Sequence, residues 1–439
     1  MTKSKQGRKQ TGTAYRFYVV GVLMLAYVCA FADRTILGLL VDPIKRDLVL
    51  SDTQVSLLAG FAFALFYTVL GIPCGWLADR TNRPRLILYG VLVWSAMTAL
   101  CGLARNFTHL FLARIGVGVG EATLSPATYS LLPDYFEREQ LGLATSIYAM
   151  GISIGGGIAM LLGGMVVEWL GTLSGISLPV YGTIRPWQAA FIACGASGLM
   201  VAALVLTIRE PRRNQAKSAS PVRLADTFRY IYRERAALIP VILGYSLMVI
   251  PSYSLVTWVP AFLMRVHDMG PASTGSALGL MLLVGGTMGM LAGGYASDRL
   301  TARGYHDAPM RVCIVAMILQ APLFVGGLLV SDTALCLALL AGSIFCISLT
   351  GGLQGASIQI LSPPAIRGQM VAVYLLFANL IGLGIGPTLT ASMTDRIFGD
   401  PSRIGEALAL TSAISLVLAV ALVTFGLRAA SSLSEKIRD

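Results

Sequence analysis

Apolar stretches about as long as a bilayer crossing follow one another along this chain, separated by short polar breaks. A crossing takes about 20 mostly apolar residues. Twelve stretches reach that length, at roughly 16–41, 53–78, 86–104, 107–133, 141–169, 187–208, 236–264, 274–297, 311–330, 333–360, 366–394 and 405–427. The connections are mostly short, which makes successive helices antiparallel neighbours. The pattern predicts an all-α membrane protein of twelve transmembrane helices.

A motif recurs within it. The second stretch ends in Gly75-Trp76-Leu77-Ala78-Asp79-Arg80 and the eighth in Gly294-Tyr295-Ala296-Ser297-Asp298-Arg299, with the two aspartates 219 residues apart. Duplication of a six-helix unit accounts for that spacing. It divides the chain into pseudo-symmetric halves at 1–208 and 236–439, joined by 209–235, and parallel repeats of this kind are a transporter architecture.

Composition excludes a water-soluble alternative. Only 13% of residues are charged and 55% are hydrophobic, at a mean hydropathy of +0.72, whereas a soluble domain carries roughly 25% charged residues. The 47 glycines fit close helix packing in lipid. The net charge of +11 does not mark a nucleic-acid binder, because the basic residues are dispersed between apolar runs. They set orientation and draw anionic lipid. The segments on the side of the N-terminus hold 24 Lys and Arg and the opposite loops seven, with Arg34 and Arg114 inside the stretches. That asymmetry predicts both termini on the cytoplasmic face of the cell inner membrane. The basic start, MTKSKQGRKQTG, precedes a run too long for a signal-peptide core, so no cleavage is expected.

The largest basic block is 209–235. Its second part places Leu224, Phe228, Ile231 and Tyr232 on one helical face and Arg223, Arg229 and Arg233 elsewhere, which suits a short interfacial helix; a plain solvated linker is the alternative. The seven cysteines lie in or beside apolar stretches without a CxxC or Cys/His cluster, so neither disulfides nor a metal are expected. His109, His267 and His306 lack metal-ligand spacing. With no nucleotide-binding loop and no catalytic nucleophile, neither a cofactor, ATP use nor enzymatic activity is expected.

Gly75 to Arg85, GWLADRTNRPR, resembles the signature loop between the second and third helices of the major facilitator superfamily. Arg114-Ile115-Gly116-Val117-Gly118-Val119-Gly120-Glu121-Ala122 resembles its fourth-helix signature, and the run with Gly151, Gly155, Gly156, Gly157, Gly163 and Gly164 its glycine-rich fifth helix. Phe31-Ala32-Asp33-Arg34, Asn82 in the loop, and Ser125-Pro126-Ala127 after the fourth-helix signature are together similar to the Spinster branch, transporters of sphingosine-1-phosphate and lysophospholipids with bacterial members. Pro84 departs from the basic residue usual there, and the second-half copy is degenerate, with Arg303 one place later than Arg83. The resemblance implies the major facilitator fold. It also implies a gating role for Asp79, Arg80, Arg83, Asp298 and Arg299, holding the halves together on the cytoplasmic side when the cavity opens outward.

Charge at a membrane centre costs roughly 2.5–3.5 kcal/mol per residue on insertion scales, and this chain places Asp33, Arg34, Arg114 and Glu121 there. Residues 114 and 121 are two turns apart and project from nearly the same face. Counting from the helix ends puts Asp33 and Arg114 at similar depth in the outer half and Glu121 nearer the midplane. The functional expectation is that Arg114 exchanges partners between Asp33, Glu121 and an anionic substrate. Glu121 is then the first choice for the proton carrier and Asp33 the second. A structural ion pair pinning the first helix to the fourth is the alternative, and Arg34 points about 100° away from Asp33.

Phe31, Tyr148, Met150, Trp258, Gln354 and Asn379 are candidate substrate contacts, with Tyr27, Phe345, Gln320 and Gln359 behind them; each alone also fits packing. A cavity with one ionic wall and one apolar wall suits a headgroup-plus-chain substrate. The expected function is a proton-coupled, alternating-access, monomeric secondary transporter of an amphipathic anion such as a lysophospholipid or a sphingosine-1-phosphate-like lipid. An organic-acid symporter or multidrug exporter is the alternative.

Overall fold

The computed structural model describes residues 12–136, 138–172, 176–178, 182–211, 213 and 224–438. Among these, eleven helices are long and apolar enough to cross a membrane. They are Thr13–Leu48, Asp52–Ala78, Arg83–Cys101, Gln140–Gly171, Pro186–Val205, Arg235–Val266, Pro271–Ala302, Ala308–Leu329, Thr333–Ile360, Arg367–Phe398 and Pro401–Ile437. The fourth crossing is broken into Phe107–Glu121 and Leu124–Tyr135, which completes the twelve expected. Pro126 supplies no N–H for the carbonyl of Ala122, and at the break the Thr123 hydroxyl donates back to Gly120 O at 3.0 Å. The break leaves Glu121 at a helix end inside the bundle. The first and last helices overrun their apolar stretches, starting at Thr13 and reaching Arg438. The loop after the fifth span carries a small antiparallel hairpin, β1 (Ile176–Leu178) with β2 (Gly182–Ile184), in which Ile176 faces Ile184.

The helices alternate between two ends of the bundle. One end carries the start of the first span and the linker (the linker end); the other is the far end. The two halves meet at the far end. One hydrophobic core runs through the whole first half and takes in Leu255, Trp258, Leu278, Leu340, Leu383 and Leu408 from the far-end portion of the second. A second, separate core holds the linker-end portion of the second half, including Leu238, Met310, Leu361, Met370 and Leu433. The segments Gly286–Ala302 and Arg367–Ala378 pack chiefly within their own half. The molecule is therefore sealed at the far end and parted at the linker end.

Two contacts make the seal close. A Cβ on Gly60 would stand 2.3 Å from Leu383 O, and one on Gly164 would stand 2.3 Å from Pro271 O, each across the halves. Gly60 belongs to a π-helical turn, Leu57–Phe61, and Leu383 to another, Asn379–Ile385. Overpacking of this kind costs about 1–3 kcal/mol, so Gly164→Leu is expected to lower the closed-to-open ratio roughly tenfold or more. A cysteine at Leu383 should then react correspondingly faster with a thiol reagent than in the otherwise unaltered chain; an unchanged rate would count against a seal held by this packing.

The linker contains a helix at Leu224–Arg233. Thr227 bonds to Gln369, and the Tyr230 hydroxyl donates to Leu361 O at 2.9 Å. Leu224, Phe228 and Tyr232 are exposed, while Ile231, set on the same face by the sequence pattern, packs against the second core. Arg223 lies outside the described residues.

Candidate functional site

The four intramembrane charges gather where the first, second, third and fourth spans meet. Glu121 pairs with Arg34: Nε of Arg34 lies 2.7 Å and Nη2 2.5 Å from Glu121 Oε2. The same guanidinium sits over the rings of Phe31, Phe63 and Tyr67, with centroids 4.9, 4.4 and 4.5 Å from Cζ. Cation–π attraction strengthens where water is excluded, so this aromatic cage holds Arg34 in place. Asp33, one residue earlier and pointing elsewhere, accepts from the Thr98 hydroxyl at 3.0 Å.

Arg114 is 1% exposed. Its Nε donates to Leu58 O at 3.3 Å, and Nη1 and Nη2 have no hydrogen-bond partner. Glu121 Oε1 is likewise buried without a partner. The expected exchange between Arg114 and Glu121 is thus not what this conformation displays, since Arg34 has taken the carboxylate. The reason is axial: seven residues span about 10 Å along a helix, and side chains lean toward the helix N-terminus, so Arg114 leans toward the far end, away from Glu121. A buried arginine with both terminal nitrogens unpartnered is costly to leave that way. It is what a site for an anion requires. The described residues hold no group of three or more His, Cys, Asp or Glu suited to a metal.

Aromatic rings continue from the cage along the first, fourth and fifth spans. Phe31 meets Tyr27 edge-on at 5.2 Å, Tyr27 stacks on Tyr148 at 4.6 Å, and Tyr148 meets Tyr129 edge-on at 5.5 Å. The Tyr148 hydroxyl lies 2.9 Å from Ser125 Oγ, and Tyr129 is half-exposed. This strip leads from Arg34 toward the linker end.

The other sequence candidates fall into three groups. Asn379 accepts from the Tyr253 hydroxyl at 3.1 Å, and Gln354 accepts from Tyr374 and donates to Thr350, so both belong to polar networks of the second half. Trp258 is fully buried and donates to Pro387 O at 3.0 Å, inside its own half. Met150 is half-exposed, Gln359 is exposed, Phe345 is partly buried, and Gln320 is buried with Nε2 unpartnered; the structure brings none of these four to the charges.

The gating candidates make their named contacts within their own halves, except that Arg83 also binds the start of the linker. Arg83 is buried and binds Glu210 through Nε and its backbone N–H, both at 2.7 Å, and Asp134 and Ser130 O through Nη1 at 2.6 and 2.7 Å. Asp79 accepts from Ser130 Oγ at 3.4 Å, Arg80 stacks on Trp76, Arg299 donates to the Tyr295 hydroxyl, and Asp298 is exposed. Phe63, Tyr67, Glu210 and the carbonyl of Leu58 escaped the sequence reading; an apolar ring or a backbone oxygen carries no signal until the fold sets it beside a charge.

The sequence pattern of the Major Facilitator Superfamily matches residues 23–387. An MFS-type efflux pump of Mycolicibacterium smegmatis is 30% identical over 405 residues, covering 91% of this chain and 90% of that protein. A probable L-galactonate transporter of Escherichia coli is 26% identical over 393 residues, covering 85% and 82%. The crystal structure of a bacterial homologue of the human lysosomal transporter Spinster, inward-facing and unoccupied, superposes with a TM-score of 0.76 at 29% identity, covering 97% of this chain and 98% of that one.

Proposed function

The chain belongs to the Major Facilitator Superfamily, in its Spinster branch, and from that premise we propose that this transporter moves an amphipathic anion by alternating access coupled to protons. The observation that carries the reading is the buried guanidinium of Arg114, with two unpartnered nitrogens beside the Arg34–Glu121 pair. An anionic headgroup bridging Arg114 and Arg34 satisfies both arginines and displaces Glu121. A carboxylate stripped of its cation in a poorly solvated site is costly to keep charged, so it takes up a proton. Anion binding and protonation are thereby linked. The aromatic strip from Phe31 to Tyr129 supports a substrate with an apolar portion, such as a lysophospholipid or a sphingosine-1-phosphate-like lipid.

The linker end is assigned to the cytoplasm, from the excess of Lys and Arg there, and the membrane to the cell inner membrane. In that orientation the conformation described is inward-open. Asp79, Arg83 and their second-half counterparts would form cross-half contacts only when the linker end closes.

A second reading, a sugar-acid carrier, is favoured by the similarity to the L-galactonate transporter. Proteoliposome uptake separates the two. Flux of a labelled lysophospholipid that rises with an imposed proton gradient and is not competed by galactonate supports the first reading. Gradient-driven galactonate uptake, indifferent to lysophospholipid, replaces it with the second.

A further inference from the structure

The far-end seal is bonded by carboxylates that cross between the halves, in an arrangement that repeats. The second span begins at Asp52, and its first N–H groups are covered by Asp395 from the end of the eleventh span: Thr53 N and Oγ1 donate to Asp395 Oδ2 at 2.7 and 2.6 Å, and Asp52 N donates to Oδ1 at 3.3 Å. The eighth span begins at Pro271, and Ala272 N donates at 2.8 Å to Glu168 Oε2 from the end of the fifth span. The second and eighth spans are counterparts in the duplication, as are the fifth and eleventh. Each half therefore lends an acid to the N-terminus of a helix in the other half, where the helix dipole favours negative charge. Arg265, at the end of the seventh span, reinforces one side. It reaches Asp42 Oδ1 at 2.9 and 2.6 Å and both oxygens of Asp52 at 2.9 Å. Asp52 is 0% exposed and also accepts from Lys45 at 2.8 Å.

We infer that Arg265 is a positioning residue of the transport cycle, clamping Asp42 and Asp52 to hold the far gate shut over the paired helix caps of Asp395 and Glu168. Asp42 and Arg265 line an open vestibule of about 1030 Å³ together with Lys45, Arg46 and Asp268, and Asp52 is buried behind them, so opening the gate moves the clamp into solvent. It is also joined to the substrate site. Residues 52–61 of the second span carry the clamp at one end, and at the other the π turn whose Leu58 carbonyl holds Arg114. An anion that draws Arg114 off Leu58 releases the lower end of the same stretch. This last link rests on the reading of Arg114 as the anion-binding group; the clamp itself does not.

The test is distance measurement between spin labels carried on unnatural side chains at Val49 and Ser402, which face the vestibule from opposite halves, in the full chain in liposomes without substrate. The unaltered chain gives one short distance. Arg265→Gln takes the guanidinium from both carboxylates and leaves Asp52 with Lys45 alone, and the closed-to-open ratio falls at least about 30-fold. The triple variant Asp42→Asn, Asp52→Asn, Arg265→Gln removes both carboxylates with the arginine, leaves Lys45 to the vestibule it lines, and recovers most of the short-distance population, a rescue that mere loss of arginine packing would not give. Unchanged distances in Arg265→Gln, or a triple variant as open as the single one, overturns the clamp. Arg114→Leu with Arg265 intact shifts the ratio toward open; no shift overturns the link to the site while leaving the clamp standing.

Discussion

Arg114→Ala is expected to lower the affinity for the anionic substrate by about 30-fold to 1000-fold, the effect of losing one partner of a buried, hydrogen-bonded charge pair. Nothing else at the same depth can replace it. Arg34 is held in its cage of three rings and reaches the anion only by giving up Glu121, and Asp33 repels an anion. The protein itself should fold, because the side chain makes a single hydrogen bond of 3.3 Å, to Leu58 O, while both terminal nitrogens lack partners; truncation removes a desolvated charge along with its packing. Titration calorimetry on the purified variant reads the affinity, and thermal unfolding checks the fold. Affinity within threefold of the unaltered protein would remove Arg114 from the binding site.

Glu121→Gln should have the opposite effect on binding while eliminating coupled flux. In the unaltered site an incoming anion competes with the Glu121 carboxylate for Arg34. Glutamine cannot hold that charge, so Arg34 and Arg114 both face the substrate unopposed. A hydrogen bond involving a charged group contributes about 1.5–3 kcal/mol, so binding should tighten by roughly 10- to 150-fold and become insensitive to pH. Turnover should collapse, because no carboxylate returns to expel the anion and no proton is carried. Equilibrium binding at several pH values, together with gradient-driven uptake in proteoliposomes, measures both effects. Uptake that still concentrates substrate on the proton gradient would exclude Glu121 as the carrier. The same result in the Asp33→Asn, Glu121→Gln double variant would end the coupling scheme.

These two outcomes depend on pairings that the sequence left open. Asp33, Arg34, Arg114 and Glu121 stand out in the chain because charge is rare in apolar stretches, so the identity of the ionic site was legible. Which acid meets which base was not. Equal depth suggested Asp33 with Arg114, and seven-residue spacing suggested Arg114 with Glu121. Pairing depends instead on the rotation of each helix about its axis and on the lean of the side chains, and these are set by contacts with neighbouring spans. The far-gate residues show the same limit more strongly. Asp42, Asp52, Arg265, Glu168 and Asp395 read as ordinary charges at span ends, and only the approach of the seventh to the first and second spans, the eleventh to the second and the fifth to the eighth gives them partners.

The sequence by itself determined the twelve crossings, the duplication into halves and the superfamily. Bilayer thickness fixes span length, backbone hydrogen bonding in lipid enforces helices, and the repeated Asp-Arg motif survives as a local string. The tertiary structure alone decided the conformation, sealed at one end and parted at the other. It also decided the Arg34–Glu121 pairing and the unpartnered state of Arg114. Alternative arrangements of the two halves satisfy the same hydrophobic pattern. The choice among them lies in cross-half contacts such as Gly60 against Leu383 and Arg265 against Asp52, between residues hundreds of positions apart, and no local periodicity encodes it.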